Sequence, residues 1–174
     1  MMLFREFRLS AVEELNTRLL DCFMELRGTD RISQTHYFGD RFENIYIDRA
    51  DIPDIGTVLD AFREQAGRWL DRPPQSLRVG FWFNAMEPGQ KTAPHHHDEN
   101  DELLSAVYYI RVPGASGNLI LYEGERKVEI EPEEGKLVMF PPSLMHEVTD
   151  NRGTGLRLSV GMNTGPVDDA LECD

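Results

Sequence analysis

From residue 77 to residue 163 the chain is a succession of short apolar runs separated by Gly, Pro and Asn: 77–84, 91–97, 104–111, 118–122, 127–131, 136–140, 146–149 and 156–163. Eight short extended segments with turn residues between them leave few ways to bury their apolar faces. The arrangement that also protects the sheet edges is a double-stranded β-helix, the cupin-like jelly roll. No internal repeat, low-complexity tract or linker interrupts the pattern.

The first 75 residues read differently. Ser10-Ala11-Val12-Glu13 has the form of a capping box, and Val12, Leu15, Leu19, Phe23 and Leu26 recur at helical spacing until Gly28. This predicts an amphipathic helix of about 17 residues. A second one follows Pro53, with Ile55, Val58, Leu59, Phe62, Ala66, Trp69 and Leu70 on one face and Asp71-Arg72-Pro73-Pro74 as its stop. Between the helices, residues 29–39 are polar and unpatterned, which reads as a loop with His36 an ordinary member of it; residues 42–48 alternate as a strand does. The expectation is a mainly β fold with N-terminal helices, a single domain over 1–174. In it 1–75 form a helical buttress with one strand, 76–166 the jelly-roll core and 167–174 a tail.

Charge narrows the partners. A net charge of −13 and a pI near 4.8 oppose binding to nucleic acid or to anionic membranes, both of which rest on Lys and Arg facing phosphate. No apolar run approaches the roughly 20 residues needed to span a bilayer, and Met-Met-Leu-Phe-Arg-Glu-Phe-Arg lacks the apolar core of a signal peptide. The protein reads as cytoplasmic, with a small molecule, peptide or protein side chain as partner. Cys22, on an apolar helical stripe, and Cys173, next to the end, suggest no disulfide framework.

Chemistry concentrates in one stretch. Of five histidines, three stand together in Pro94-His95-His96-His97-Asp98-Glu99-Asn100, just before the strand-like run 104–110. Side chains two apart on an extended backbone share a face, so either His96 with Asp98 or His95 with His97 would grip one ion. His146, in the run 140–148, would return as the third ligand. Two histidines and a carboxylate on one side of an ion, with other positions open, suit non-haem Fe(II) oxygen chemistry. In the last strand Leu156, Leu158, Val160 and Met162 share an apolar face that can pack under the helices, leaving Arg157, Ser159, Gly161 and Asn163 to line the interior. An inward arginine needs an anion, and a planar carboxylate is its best partner. Ser105, Val107 and Tyr109 would look into the same cavity.

The order and spacing of these features resemble the Fe(II)- and 2-oxoglutarate-dependent oxygenases, in particular the bacterial and phage branch related to the prolyl hydroxylases. The residues that carry the resemblance are Phe83-Asn84, Gly89, Pro94 to Asp98, and the run 104–110. They continue with Val112-Pro113, Gly117-Asn118-Leu119, the run 135–141 ahead of His146, and Arg157-Leu158-Ser159 with Asn163. The resemblance covers about residues 55 to 165. It implies His96, Asp98 and His146 as metal ligands, with His95, His97 and His146 as the rival register. It further implies Arg157 and Ser159, with Tyr109, around the far carboxylate of 2-oxoglutarate. The implied activity is a dioxygenase using Fe(II), 2-oxoglutarate and O2, hydroxylating a substrate with release of succinate and CO2.

Two other readings fit the same roll. Gly89, His95, His97 and Glu102, with Gly135, Pro141 and His146, match the two cupin motifs, which would make the protein a three-His dioxygenase, an isomerase or a metal-binding sensor. The third reading is an interaction domain without an ion. Arg157-x-Ser159 separates the first two, since a cupin has no standing need for it.

Overall fold

The computed structural model describes residues 3–98 and 100–167; most of the expected tail, Cys173 and Glu99 lie outside the described residues. Strands in chain order are β1 (Arg5–Arg8), β2 (Ile32–Phe38), β3 (Arg41–Ile47), β4 (Leu77–Met86), β5 (Thr92–His95), β6 (Leu104–Arg111), β7 (Leu119–Glu123), β8 (Arg126–Ile130), β9 (Lys136–Phe140), β10 (Met145–Val148) and β11 (Arg157–Pro166). The helices are α1 (Glu13–Leu26) and α2 (Ile55–Leu70). Seven strands form one antiparallel sheet in the order β1-β9-β6-β11-β4-β3-β2, and four form a second in the order β5-β10-β7-β8. This is the jelly roll the spacing of apolar runs predicts, extended at both edges of its larger sheet.

Strands buried on both faces take the middle of the larger sheet, and polar strands take its rim. β9 is buried at all five positions and β6 at six of eight, because each packs one face on the helices and the other on the smaller sheet. The first core joins Leu19, Phe23, Val58, Leu59 and Phe62 of the helices to Phe83, Tyr108, Leu158, Val160 and Met162 of the strands. Phe23 stacks on Phe83 with ring centroids 5.3 Å apart, and the buried Tyr108 hydroxyl donates to Asn16 Oδ1 at 2.7 Å. The second core lies between the sheets, where Met86, Tyr109, Val138 and Phe140 meet Leu119, Leu121, Ile130 and Val148.

Three local expectations are corrected. The capping box does not form: Val12 stands at the N-cap with no side-chain bond, and Ala11 has φ 51°. The chain enters this helix from β1, which pairs with β9, and Leu9 N–H donates to Gly135 O at 3.0 Å. Val12 is thereby laid on Gly135, where an added Cβ would meet Val12 Cγ2 at 2.8 Å, and tertiary pairing overrides the local cap. Residues 5–8, which carry no apolar run, form β1. The segment read as a loop contains β2, an edge strand almost wholly exposed; an edge asks only for backbone pairing on one side, so its sequence stays polar. Among the described residues no helix is long and apolar enough to cross a membrane.

Replacing Phe23 with Ala should cost about 3–5 kcal/mol of stability, whereas Tyr37→Ala, on the exposed edge strand, should stay within about 0.5 kcal/mol. Urea denaturation midpoints of the two variants check both.

Candidate metal centre

Antiparallel pairing decides which histidines meet. β5 pairs with β10 so that His95 stands opposite His146, and residues directly opposite in an antiparallel pair project from the same face. His97, two residues further, returns to that face. The three imidazoles bring their ligand atoms within 4.8 Å of one another. Ring centroids lie 4.2 Å apart for His95–His146, 4.8 Å for His95–His97 and 5.0 Å for His97–His146.

The ring nitrogens are oriented as metal ligands need. His95 Nδ1 lies 2.7 Å from Ala93 O and His146 Nδ1 lies 2.8 Å from Leu144 O. A carbonyl only accepts, so each Nδ1 carries the proton and each Nε2 keeps its lone pair free. His97 is held by its backbone N–H, which donates to Pro142 O at 2.8 Å, and by Trp82, whose ring centroid is 5.2 Å away. Trp82 is itself pinned against Gly161 of β11, where an added Cβ would sit 2.4 Å from the indole. Burial, then the neighbouring His95, pushes His97 down to about 4 and His146 to about 3. All of this favours neutral imidazoles at pH 7, the form that binds a metal.

Of the two registers open to the His run, the structure brings together His95, His97 and His146. The other pair, His96 and Asp98, lies outside that cluster. His96 Nδ1 and Asp98 Oδ1 pair with each other at 2.5 Å, with side chains 40% and 48% exposed. The physical reason is the period of two: once His95 faces β10, the residues between and after the chosen pair face out. His36 falls on exposed β2, its Nδ1 bonded to Thr35 Oγ1 at 2.7 Å.

Deeper in the roll lies a buried cation without an anion. Arg157 is 1% exposed; its Nη1 reaches Ser159 Oγ only at 3.5 Å and Met86 Sδ at 3.8 Å, and its Nε and Nη2 have no partner among the described residues. The guanidinium lies 5.2 Å from the Tyr109 ring centroid, and the Tyr109 hydroxyl is also buried without a partner. Burial lowers the Arg157 pKa and pushes Tyr109 up to about 12. A guanidinium left so open costs several kcal/mol, and a carboxylate placed against Nε, Nη2 and the phenol would offset it. Ser159 also lines a cavity of about 50 Å³, together with the three imidazoles, Asn84, Thr92 and the apolar Val107, Leu119, Phe140 and Val148. The three imidazoles and Ser159, the neighbour of the Arg157 guanidinium, thus line one interior.

Several residues here escape sequence reading. Arg41 is buried like Arg157, but it donates to Ala85 O, Lys91 O, Thr92 Oγ1 and Asn84 Oδ1 at 2.9–3.2 Å. Glu43 accepts the Ala93 N–H at 2.7 Å and so fixes β5 just before His95. Both come from a strand about 50 residues away, and nothing local in the sequence marks them.

Comparison with known proteins agrees with this geometry. Residues 81–164 match the family model of the 2OG-Fe(II) oxygenase superfamily. The fold is similar to a Pseudomonas putida prolyl-4-hydroxylase, at 18% identity and a TM-score of 0.71, over 94% of this chain and 92% of that one. It is also similar to a Trichoplax adhaerens prolyl hydroxylase in complex with a hypoxia inducible factor peptide fragment, at 16% identity and a TM-score of 0.69, over 99% and 88%. A third likeness is to SnoK, a non-haem alpha-ketoglutarate-dependent carbocyclase from nogalamycin biosynthesis, at 15% identity and a TM-score of 0.76, over 95% and 80%. No curated protein matches by sequence.

The depressed imidazoles make a pH prediction. The unfolded chain protonates His97 and His146 near 6.5, while the fold resists protonation down to about 4 and about 3. The metal-free protein should therefore hold its full stability above pH 6.5 and lose it as pH falls through that window. Urea midpoints with chelator at pH 7.5, 5.5 and 4.5 check this, and His146→Gln should flatten the loss.

Proposed function

Because residues 81–164 match the family model of the 2OG-Fe(II) oxygenase superfamily, we propose that this chain is a dioxygenase of that superfamily that hydroxylates a C–H bond of a small molecule, peptide or protein side chain, with release of succinate and CO2. The superfamily's cofactors are Fe(II) and 2-oxoglutarate, with O2 as cosubstrate. Bound together, they supply O2 activation coupled to oxidative decarboxylation of the 2-oxoacid. In this reading His95, His97 and His146 hold the iron, and Arg157, with Ser159 and Tyr109, receives the far carboxylate of 2-oxoglutarate.

The chain's own part is positioning. The Nδ1–H bonds to Ala93 O and Leu144 O aim two Nε2 atoms at one point. Val107, Leu119, Phe140 and Val148 keep water from the interior. The open nitrogens of Arg157 and the Tyr109 hydroxyl orient a dicarboxylate so that its other end faces the imidazoles. The observation that carries the proposal is the fully buried guanidinium, two of whose nitrogens are unpartnered among the described residues, next to Ser159, which lines the same cavity as the three imidazoles.

One feature supports a second reading. Three neutral imidazoles, with no carboxylate among them, are also the ligand set of a cupin-type metal protein, which would have no use for Arg157. Purified protein incubated with Fe(II), 2-oxoglutarate and ascorbate separates the two: succinate release supports the oxygenase, and bound metal without succinate or 2-oxoglutarate binding supports the cupin.

His146→Ala should abolish stoichiometric iron binding. Asp98→Ala should retain iron while His97→Ala loses it; the reverse would restore the His96/Asp98 register. Arg157→Leu should leave iron in place and raise the 2-oxoglutarate concentration needed for half-maximal succinate release by about 100-fold, the order expected for a lost buried charge-assisted pair.

A further inference from the structure

Outside the imidazole cluster opens a second cavity, of about 280 Å³, shared by His95 and His97 on its inner side. Its remaining wall combines carboxylates (Glu43, Glu102), amides (Asn44, Asn100, Asn163), aromatic rings (Tyr46, Trp82) and two further imidazoles, His36 and His96. None of its lining residues is Lys or Arg. A volume near the lower end of the usual range for ligand sites suits a small molecule or one side chain.

Its two carboxylates differ in how far they are already satisfied. Glu43 is 7% exposed, has one oxygen on the Ala93 N–H and lies 3.8 Å from Arg41, whose guanidinium is occupied elsewhere. Among the described residues Glu102 accepts only from Asn100, at 3.1 Å from the backbone N–H and 3.4 Å from the side-chain amide. Both donors are neutral, so the Glu102 charge stands open to the cavity. The aromatic wall is preset: Trp82 is clamped between Gly161 and His97, and the Tyr46 hydroxyl accepts from Asn44 at 3.1 Å, which leaves its own proton free to donate. Carboxylates beside fixed indole and phenol faces are the surroundings that select ammonium or guanidinium groups. The net charge of −13 raises the local concentration of such cations.

We infer that the cavity at the mouth of the metal site takes an organic cation, an ammonium or guanidinium group, as the recognised part of the substrate. Glu102 supplies the charge and Trp82 with Tyr46 the face. The assignment of that cation as substrate rests on the oxygenase reading; its binding does not.

The test uses the full chain loaded with Zn(II) in place of Fe(II), with 2-oxoglutarate present, and follows binding by calorimetry and by Trp82 fluorescence. L-Arginine is compared with its neutral analogue L-citrulline, and L-lysine with L-norleucine, each free and within a capped tripeptide. At least one cation should bind about tenfold more tightly than its neutral partner, with a gap that narrows as salt rises. Glu102→Gln should remove the gap while Zn(II) and 2-oxoglutarate still bind, and Glu102→Asp should keep part of it. A preference confined to the free or to the peptide-borne form identifies the source of the cation. Equal binding of cationic and neutral partners in both pairs, or a gap that survives Glu102→Gln, overturns the inference. Failure to bind 2-oxoglutarate with the cation preference intact would count against the oxygenase reading alone.

Discussion

The pairing of β5 with β10 is the contact on which the site depends. It sets His95 opposite His146, and from that one register His97 follows onto the same face while His96 and Asp98 are turned outward. Each of the two paired imidazoles then uses the same local device: its Nδ1–H donates to the carbonyl two residues earlier in the chain, Ala93 for His95 and Leu144 for His146. The sheet chooses the face and the strand chooses the nitrogen. A shift of one residue in this pairing would exchange the cluster for the exposed His96/Asp98 pair and leave the interior without a ligand from β5.

The two buried guanidiniums differ in how far the fold satisfies them. Arg41 and Arg157 are both withdrawn from water, and burial lowers both. Arg41 is spread over two carbonyls, a hydroxyl and an amide, with Glu43 near, and so acts as a rivet between β3, β4 and β5. Arg157 faces Ser159, Met86 and the Tyr109 ring, and keeps two nitrogens unpartnered. Only Nε of Arg41 lacks a partner among the described residues, against Nε and Nη2 of Arg157. The desolvation cost of the Arg157 guanidinium therefore favours an entering anion. At the mouth, the cavity wall carries two carboxylates and, among the described residues, no Lys or Arg, so its fixed charge is opposite in sign to that of Arg157.

Much of this was legible in the linear chain, and the failures share a cause. The eight runs from 77 to 163 all correspond to strands, with ends displaced by up to three residues, and the stripe from Leu15 to Leu26 is buried where helical spacing puts it. The alternation in β11 sets Leu158, Val160 and Met162 against the helices and Arg157 and Ser159 inward. β1 and β2 went unseen because an edge strand is held by backbone bonds that leave no apolar signature. The capping box was visible yet unused, because pairing of β1 with β9 governs how the chain enters α1. Arg41, Glu43 and Trp82 give no signal, since each acquires its role from partners in other segments, 15 to 79 residues away.

Taken alone, the amino-acid sequence determined the class of fold, the strands that carry the chemistry and the presence of histidines and an arginine able to meet inside it, because periodicity and residue type act over a few positions. It did not determine which two of four consecutive polar residues face inward. His95-His96-His97-Asp98 satisfies both registers equally, and an extended strand has no preferred face until another strand lies beside it. Only the tertiary structure decided that, through the hydrogen-bond register between segments some fifty residues apart, and with it the charge of the cavity on either side of the imidazoles.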